Sequence, residues 1–375
     1  MNPARKKVWY ENYAELLAEV ATVKQRFHER CAELGHEAEV ILAAFRRELL
    51  ARAVHESNWQ EGVELDYGRT RELADLVTDD LHFADGTRLD VEGIVAAHKA
   101  HILRMKREKP RSEEIAAVNL ARAHMMLGWI HQELVLRQTA SLVRALRDAE
   151  GPLRSEAGKS GKPLSSVIEK GFETVRALMA DEHPAGRPIQ APIGTMGEWL
   201  SLVVDTDFQS LLSPMDVKYV HGLHRITMMG VLPANQIGRW RERNVHVGNP
   251  DIDFPPPETV DSLMAEFCRV FPTILPLTVK YEPMLVAAKT SYRFVRIHPY
   301  VDGNGRMSRL IMNLILQGHH PMVSLAPRAK ERHRYRQAIR RADRGKIEPL
   351  AALVAISVRD TYQRMLQALM ACPDS

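Results

Sequence analysis

The sequence predicts an all-helical fold that carries one small β-hairpin. Aromatic residues make up only 6% of the 375 residues, alternating β-branched runs are scarce, and apolar residues recur at helical spacing. Two helices are predicted first, one from Leu16 to Phe27 and one from Leu34 to Leu49. Because 45% of the residues are hydrophobic and 26% are charged, a disordered or collagen-like chain is excluded.

Breaker residues divide the chain into three predicted regions. Residues 1–150 form an N-terminal helical region. Residues 151–194 form a loop-rich connector, because Gly and Pro occupy 11 of its 44 positions against 42 of 375 in the whole chain. Residues 195–375 form a second body, in which one helix is predicted to be capped by Ser213 with Pro214 in its first position. Further helices are predicted around residues 258–270 and 281–294.

The one strong strand signal is the alternating segment Val245-His246-Val247. Turn-forming residues follow it at positions 248–251, so the pattern predicts a short hairpin. The prolines at 255–257 then prevent any continuation as a strand.

Charge, cysteine content and hydropathy exclude several classes of protein. The 51 Lys and Arg residues exceed the 47 Asp and Glu residues by only four, so general binding to nucleic acid is not expected. The three cysteines are isolated, which fits a reducing compartment better than a disulfide framework. The apolar run at residues 310–316 is far shorter than the ~20 residues that span a bilayer. We therefore expect a cytoplasmic protein without a membrane partner.

Residues 298–309 contain the densest group of chemically active side chains. Gly303, Asn304 and Gly305 tolerate positive φ just before an apolar helix, so successive backbone N–H groups can face one anion. Arg306 and Arg309 lie three residues apart and share a face of the first helical turn. Two guanidinium forks beside backbone donors match the oxygens of a polyphosphate.

Two further residues of this loop predict its chemistry. Asp302 lies at the mouth of the anion site, where its carboxylate can hold a Mg²⁺ ion that bridges phosphates. His298 precedes the site by a proline-stiffened turn, and its ordinary pKa lies near neutrality. It is therefore the candidate general base.

This loop resembles the signature of Fic-domain proteins. That signature reads His-Pro-Phe-x-(Asp/Glu)-Gly-Asn-Gly-Arg-x-x-Arg, and residues 298–309 match it except that Tyr300 replaces Phe. The similarity extends over much of residues 213–345, where residues 238–248 resemble the family's flap. It implies a Fic-like helical bundle with a small β-hairpin flap, and a catalytic domain over residues 195–375.

The resemblance also implies an activity, namely transfer of AMP from ATP to a Ser, Thr or Tyr hydroxyl of a target protein. His298 would deprotonate the hydroxyl, and Asp302 would bind Mg²⁺. The phosphates would be held by Gly303, Asn304, Gly305, Arg306 and Arg309. The flap residues Val245, His246 and Val247 would bind the target as an added strand. Self-modification and a homodimer are further expectations from the family.

Fic proteins often carry an inhibitory helix with the pattern (Ser/Thr)-x-x-x-Glu-(Gly/Asn). Residues 57–62, from Ser57 through Glu61 to Gly62, fit every specified position. The carboxylate of Glu61 would compete with the ATP γ-phosphate for the guanidinium of Arg309. A rival segment, which carries Glu169, ends in Lys, so we favour Glu61.

Other functions of the same loop stay open at this point. Within enzymes, it could remove AMP or transfer another nucleotide or a phosphate. From another class, the chain could be a non-catalytic ATP-binding adaptor that uses residues 1–150 to hold a partner. The intact Asp302, Arg306 and Arg309 favour nucleotide transfer.

Overall fold

Helices form the framework of the molecule. The computed structural model describes residues 12–79, 90–131, 134, 215–246, 253–280, 282–325 and 329–371. The helices in these ranges are α1 (Tyr13–Leu34), α2 (His36–Gln60), α3 (Tyr67–Asp79), α4 (Val91–Arg107), α5 (residues 112–131), α6 (Val217–Met228), α7 (Pro257–Lys280), α8 (Pro283–Ile297), α9 (Asn304–Leu316), α10 (Ala329–Ala342) and α11 (Glu348–Met370). The prediction of an all-helical fold is confirmed.

The first two helices follow the apolar pattern of the sequence. The side chain of Asn12 caps α1 by accepting a hydrogen bond from the backbone N–H of Glu15. Leu16, Val20 and Phe27 form the buried face of α1. Gly35 separates α1 from α2 with a positive φ of 54°, a conformation that glycine adopts without a Cβ penalty.

Helix α9 lies at the centre of the core. All its residues except Gly305 are buried, as expected for a helix that packs on every side. Helix α8 packs along α9, and α11 packs along α8 and α1. Helix α2 contacts both α9 and α11, so side chains from both halves of the sequence share one apolar cluster. This packing brings the C-terminal end of α2 to the N-terminal end of α9.

Two local predictions differ from the structure. Helix α6 begins at Val217, and the side chain of Asp216 caps it by accepting a hydrogen bond from Lys218 N at 2.9 Å. The predicted cap, Ser213, lies outside the described residues together with Pro214. Asp216 is the N-cap because its carboxylate reaches the free N–H groups of the first turn directly.

The predicted hairpin is not shown. Val245 and His246 have irregular backbone, Val247 lies outside the described residues, and the residues that are described contain only an isolated bridge. The carbonyl of Arg243 accepts a hydrogen bond from the side chain of Arg241 rather than from a neighbouring strand. The predicted connector at 151–194 also lies outside the described residues. In the ranges that are described, no helix combines the length and the apolar character needed to cross a membrane.

Candidate active site

The loop between α8 and α9 is held by its own side chains. Helix α8 ends at His298, which has a left-handed backbone with φ 51°. Asn304, which is buried, accepts a hydrogen bond from Tyr300 N at 3.0 Å and donates one to Tyr300 O at 2.8 Å. This amide pair closes the loop, and Gly303, with φ 82°, directs the chain into α9. A Cβ at Gly303 would lie 2.7 Å from the sulfur of Met228, so the position has no space for a side chain.

Tyr300, the one departure from the Fic signature, has partners for both its ring and its hydroxyl. Its ring stacks on the imidazole of His224 with centroids 3.5 Å apart and planes within 4°. The hydroxyl lies 3.2 Å from Nδ1 of His221. The exchange of Phe for Tyr therefore keeps the aromatic packing and leaves no buried hydroxyl unpaired.

His224 fixes the position of the loop from the side of α6. Its Nδ1 accepts a hydrogen bond from Gly238 N at 2.9 Å, so Nε2 carries the proton and donates it to Asp302 O at 3.1 Å. Burial lowers the pKa of His224 to about 3, which keeps this ring neutral near pH 7. His224 was not identified from the sequence as a residue that holds the loop.

His298 has the geometry of a general base. Its Nδ1 lies 3.0 Å from the carbonyl of Val295, and because a carbonyl only accepts, Nδ1 carries the proton. The lone pair is then on Nε2, which can receive a proton. Burial lowers the pKa of His298 to about 4, against the opposing effect of the Val295 hydrogen bond. Phe254 covers one face of the ring, with centroids 4.0 Å apart.

Arg306 presents hydrogen-bond donors that the described residues leave unused. The residue is buried, and among the described residues its Nε and Nη1 have no hydrogen-bond partner. Its Nη2 lies 3.8 Å from Oδ2 of Asp302, which is an ion pair without a short hydrogen bond. Unmade bonds on a buried cation are costly, and a bound anion would remove this cost. Arg306 therefore fits a phosphate ligand.

Asp302 fits a metal that is shared with phosphates. Its side chain is 54% exposed, and Oδ1 accepts a hydrogen bond from Gly303 N at 2.6 Å. Within the described ranges, the long contact with Arg306 is the one polar contact of Oδ2, which can therefore reach an ion. In the part of the chain that is described, no group of three or more His, Cys, Asp or Glu side chains could hold a metal ion. A single carboxylate with substrate phosphates is the ligand set that Mg²⁺ commonly takes.

Arg309 is occupied by the end of α2. Its Nε donates to Oγ of Ser57 at 2.7 Å, and its Nη2 donates to Ser57 O at 3.0 Å and to Oε1 of Glu61 at 2.6 Å. The Arg309 side chain is only 6% exposed, so these bonds are shielded from water. Burial raises the pKa of Glu61, but the charges of Arg309, Arg306 and Arg332 outweigh burial and leave that pKa below its ordinary value.

The carboxylate of Glu61 lies inside the anion site. A Cβ on Gly305 would stand 2.5 Å from Oε1 of Glu61, so the oxygen rests against the backbone at the start of α9. An anion in this position meets the positive end of the helix dipole. The carboxylate thus takes a place that a phosphate oxygen would otherwise favour.

Comparison with known proteins agrees with this geometry. The sequence model of the Fic/DOC family matches residues 214–316. This part of the chain is therefore similar in sequence to a Fic/DOC domain. The proteins named "Protein adenylyltransferase Fic" from Drosophila sechellia and Drosophila melanogaster are each 32% identical to it over 169 residues. Each match covers 44% of this chain and 32% of the relative, so the chain spans about a third of the length of these relatives.

One solved structure shares the fold over nearly the whole chain. A Fic-domain-containing signaling protein from Bacteroides thetaiotaomicron VPI-5482 superimposes with a TM-score of 0.56. The superposition covers 95% of this chain and 100% of that one, at 14% sequence identity. The similarity of fold therefore extends beyond residues 214–316 to the helices that precede them.

The structure brings most of the predicted site residues together. The phosphate-binding candidates and Asp302 lie at the start of α9, Glu61 contacts them from α2, and His298 ends the preceding helix. Glu169, the rival to Glu61, and the flap residue Val247 lie outside the described residues.

The sequence interpretation missed two arginines, one that contacts the loop and one that contacts the end of α2. Arg241 donates hydrogen bonds to the backbone of the loop, and Arg332 stacks over Trp59 beside Glu61. Only Arg241 gave a signal, through its place in residues 238–241, which resemble the family's flap.

Proposed function

We propose that this Fic domain transfers AMP from ATP to a Ser, Thr or Tyr hydroxyl of a protein, and that Glu61 restrains the transfer. The observation that carries the proposal is a pair of donors on buried Arg306 that have no partner among the described residues and lie beside a carboxylate-filled anion site. The named adenylyltransferase relatives support the class of reaction. Residues 195–375 would form the catalytic unit, and residues 1–150 would supply the inhibitory helix.

The phosphates of ATP would be held by the start of α9. Backbone N–H groups near Gly303 and Gly305 would face phosphate oxygens, and Arg306 would use Nε and Nη1, which have no partner in the part of the chain that is described. Arg309 would hold the γ-phosphate once Glu61 leaves. Asp302 would hold Mg²⁺, which when bound neutralises phosphate charge and polarises the phosphoryl oxygens. Positioning and neutralisation of charge are the main requirements of such transfers.

His298 would move the proton. Its Nε2 would take the proton of the target hydroxyl as the hydroxyl oxygen forms a bond to the α-phosphorus. The bond from the α-phosphorus to the oxygen that bridges to the β-phosphorus breaks, and pyrophosphate leaves in line with the attack. Nε2 then returns its proton to solvent. The target protein would keep AMP through a new phosphodiester bond to its hydroxyl oxygen.

The target would be held beside this centre by the segment that contains Val245 and His246. In this proposal an extended piece of the target pairs with the flap backbone, and the hydroxyl is brought to His298. The irregular backbone of Val245 and His246 supports this role, because among the described residues neither belongs to a helix or a strand, and His246 is exposed. Self-modification, a homodimer and a cytoplasmic location stay predictions.

Label transfer tests the proposal. The chain is incubated with α-labelled ATP, Mg²⁺ and a cell extract, as wild type, as Glu61→Gly, and as Glu61→Gly combined with His298→Ala. We expect strong labelling of protein with Glu61→Gly and background labelling when His298 is also replaced. Glu64→Gly is the matched control, because this exposed carboxylate lies three residues away and has no contact with Arg309 in the described structure.

The same experiment separates the alternatives. ATP binding without labelling in any variant would contradict the proposal and favour an adaptor. Label that is lost from already modified protein would instead indicate removal of AMP. Labelling that survives His298→Ala would show that another group acts as the base.

A further inference from the structure

Arg241 is a buried cation whose partners are backbone carbonyls. Its side chain is shielded from solvent, with the residue only 2% exposed. Nε donates to His298 O at 2.7 Å, Nη1 donates to Arg243 O at 3.1 Å, and Nη2 donates to Pro255 O. In addition, the backbone N–H of Arg241 donates to Pro299 O at 2.8 Å. All three side-chain nitrogens are therefore used.

These four bonds join three segments that are far apart in sequence. Two of the acceptors, on His298 and Pro299, belong to the turn that carries the candidate base. A third, on Pro255, belongs to the residue next to Phe254, the ring that covers the imidazole of His298. The fourth, on Arg243, lies where the chain leads toward the flap. One planar guanidinium thus fixes the backbone of the base and the ring that packs against it.

The arrangement needs an arginine. Burial lowers the pKa of Arg241, and the charge of Glu258 opposes this effect. Only a guanidinium offers donors in three fixed directions within one plane, whereas an ammonium is a single compact point of charge. The left-handed backbone of His298, with φ 51°, also needs support, because a non-glycine residue adopts it only when its surroundings hold it there.

We propose that Arg241 is the positioning residue for the base: by binding the carbonyls of His298 and Pro255, it sets where Nε2 of His298 stands relative to the reacting hydroxyl. The proposal rests on the proposed function, in which His298 takes the proton. Among the described residues, the hydrogen-bond partners of the Arg241 side chain all lie outside the anion site at the start of α9. Its loss should therefore affect the chemical step and leave ATP binding in place.

The test uses Arg241→Lys and Arg241→Gln in the Glu61→Gly chain, with Arg239→Gln as the matched control. Arg239 is exposed and lies two residues away. Because a displacement of about 1 Å at a reacting group can cost on the order of 10²-fold in rate, we expect kcat for label transfer to fall by about that factor in both variants. The dissociation constant for ATP, measured by calorimetry, should stay within about twofold of the parent, as should kcat of the Arg239→Gln control.

Three results would overturn the proposal. One is an unchanged kcat in a folded Arg241 variant. Another is a loss of kcat matched by an equal loss of ATP affinity, which indicates a general structural role. The third is that both variants fail to melt cooperatively and fail to bind ATP. The residue would then be needed for folding and not for positioning.

A second measurement keeps this proposal separate from the proposed function. Nitrogen-15 NMR of the His298 ring reports which ring nitrogen carries the proton, and it needs no transfer activity. We expect a fixed Nδ1–H form in the parent and in Arg239→Gln, and exchange between the two tautomers in Arg241→Lys. If the Glu61→Gly chain transfers no label, the proposed function fails. If the ring spectrum is unchanged in Arg241→Lys, positioning by Arg241 is contradicted.

Discussion

Replacing Glu61 by glycine removes the carboxylate that now bonds to Arg309, and the structure sets the size of the effect. The contact is one charge-assisted hydrogen bond of 2.6 Å to a guanidinium that is 6% exposed. Hydrogen bonds to charged groups contribute about 1.5–3 kcal/mol. Since 1.4 kcal/mol corresponds to tenfold in an equilibrium constant, ATP should bind Glu61→Gly about 10–150-fold more tightly than wild type.

Calorimetry with ATP and with ADP gives the decisive comparison. If the freed guanidinium of Arg309 holds the γ-phosphate, Glu61→Gly should gain affinity for ATP and gain much less for ADP. Glu61→Gln keeps the length of the side chain but loses the charge. Its affinity for ATP should lie between those of the wild type and Glu61→Gly. Equal gains for ATP and ADP, or no gain for either, would refute the view that the carboxylate competes with the last phosphate.

Three further perturbations test other parts of the account. The pKa of His298 is lowered to about 4, so the imidazole is neutral above that pH. We therefore expect kcat/KM to be flat from pH 6 to 8 and half lost near pH 4. Half loss near pH 6.5 would contradict the assignment of this buried imidazole as the base. Gly303→Ala adds a Cβ 2.7 Å from a sulfur atom, so thermal unfolding should show about 1–3 kcal/mol more destabilisation than Gly345→Ala, where φ is 79° but no atom lies within 4 Å. Arg332→Gln removes a guanidinium 4.6 Å from the Trp59 ring, an interaction of about 0.5–2 kcal/mol. If α2 restrains transfer as proposed, this change should raise label transfer by about 2–30-fold. Unchanged transfer would show that this contact does not hold the end of α2 against the site.

The loop of residues 298–309 could be predicted from the sequence because its geometry is local. Positive φ at Gly303, the amide pair between Asn304 and Tyr300, and the cations of the first turn all lie within a few residues of one another. Helical spacing then places Arg306 and Arg309 on one face. Short-range patterns of this kind follow from backbone sterics and helix geometry.

The contact between Glu61 and Arg309 was predicted in a different way. The two residues are 248 positions apart, and no periodicity in the sequence joins them. Only the resemblance to an inhibitory pattern suggested the pair, and the structure places the two side chains in contact. Whether the contact restrains activity is a proposal that the calorimetry tests.

The supporting contacts could not be predicted, because they depend on which helices pack together. Arg332 reaches the carbonyl of Trp59 across 273 positions, and Arg241 reaches that of His298 across 57. A buried arginine that binds carbonyls leaves no charge pattern in the sequence. The start of α6 was misplaced for a related reason, since Ser213 and Asp216 are both good caps and the choice between them is made by local backbone geometry.

The most direct test of the central claim follows the two ends of ATP separately. Glu61→Gly is incubated with Mg²⁺ and ATP labelled either at the α-phosphorus or at the γ-phosphorus, and protein and released products are then counted. Transfer of AMP predicts that the α-label stays with protein and that the γ-label leaves as pyrophosphate. Retention of the γ-label by protein would instead show transfer of phosphate, and would contradict the assignment of the α-phosphorus as the centre that the hydroxyl attacks.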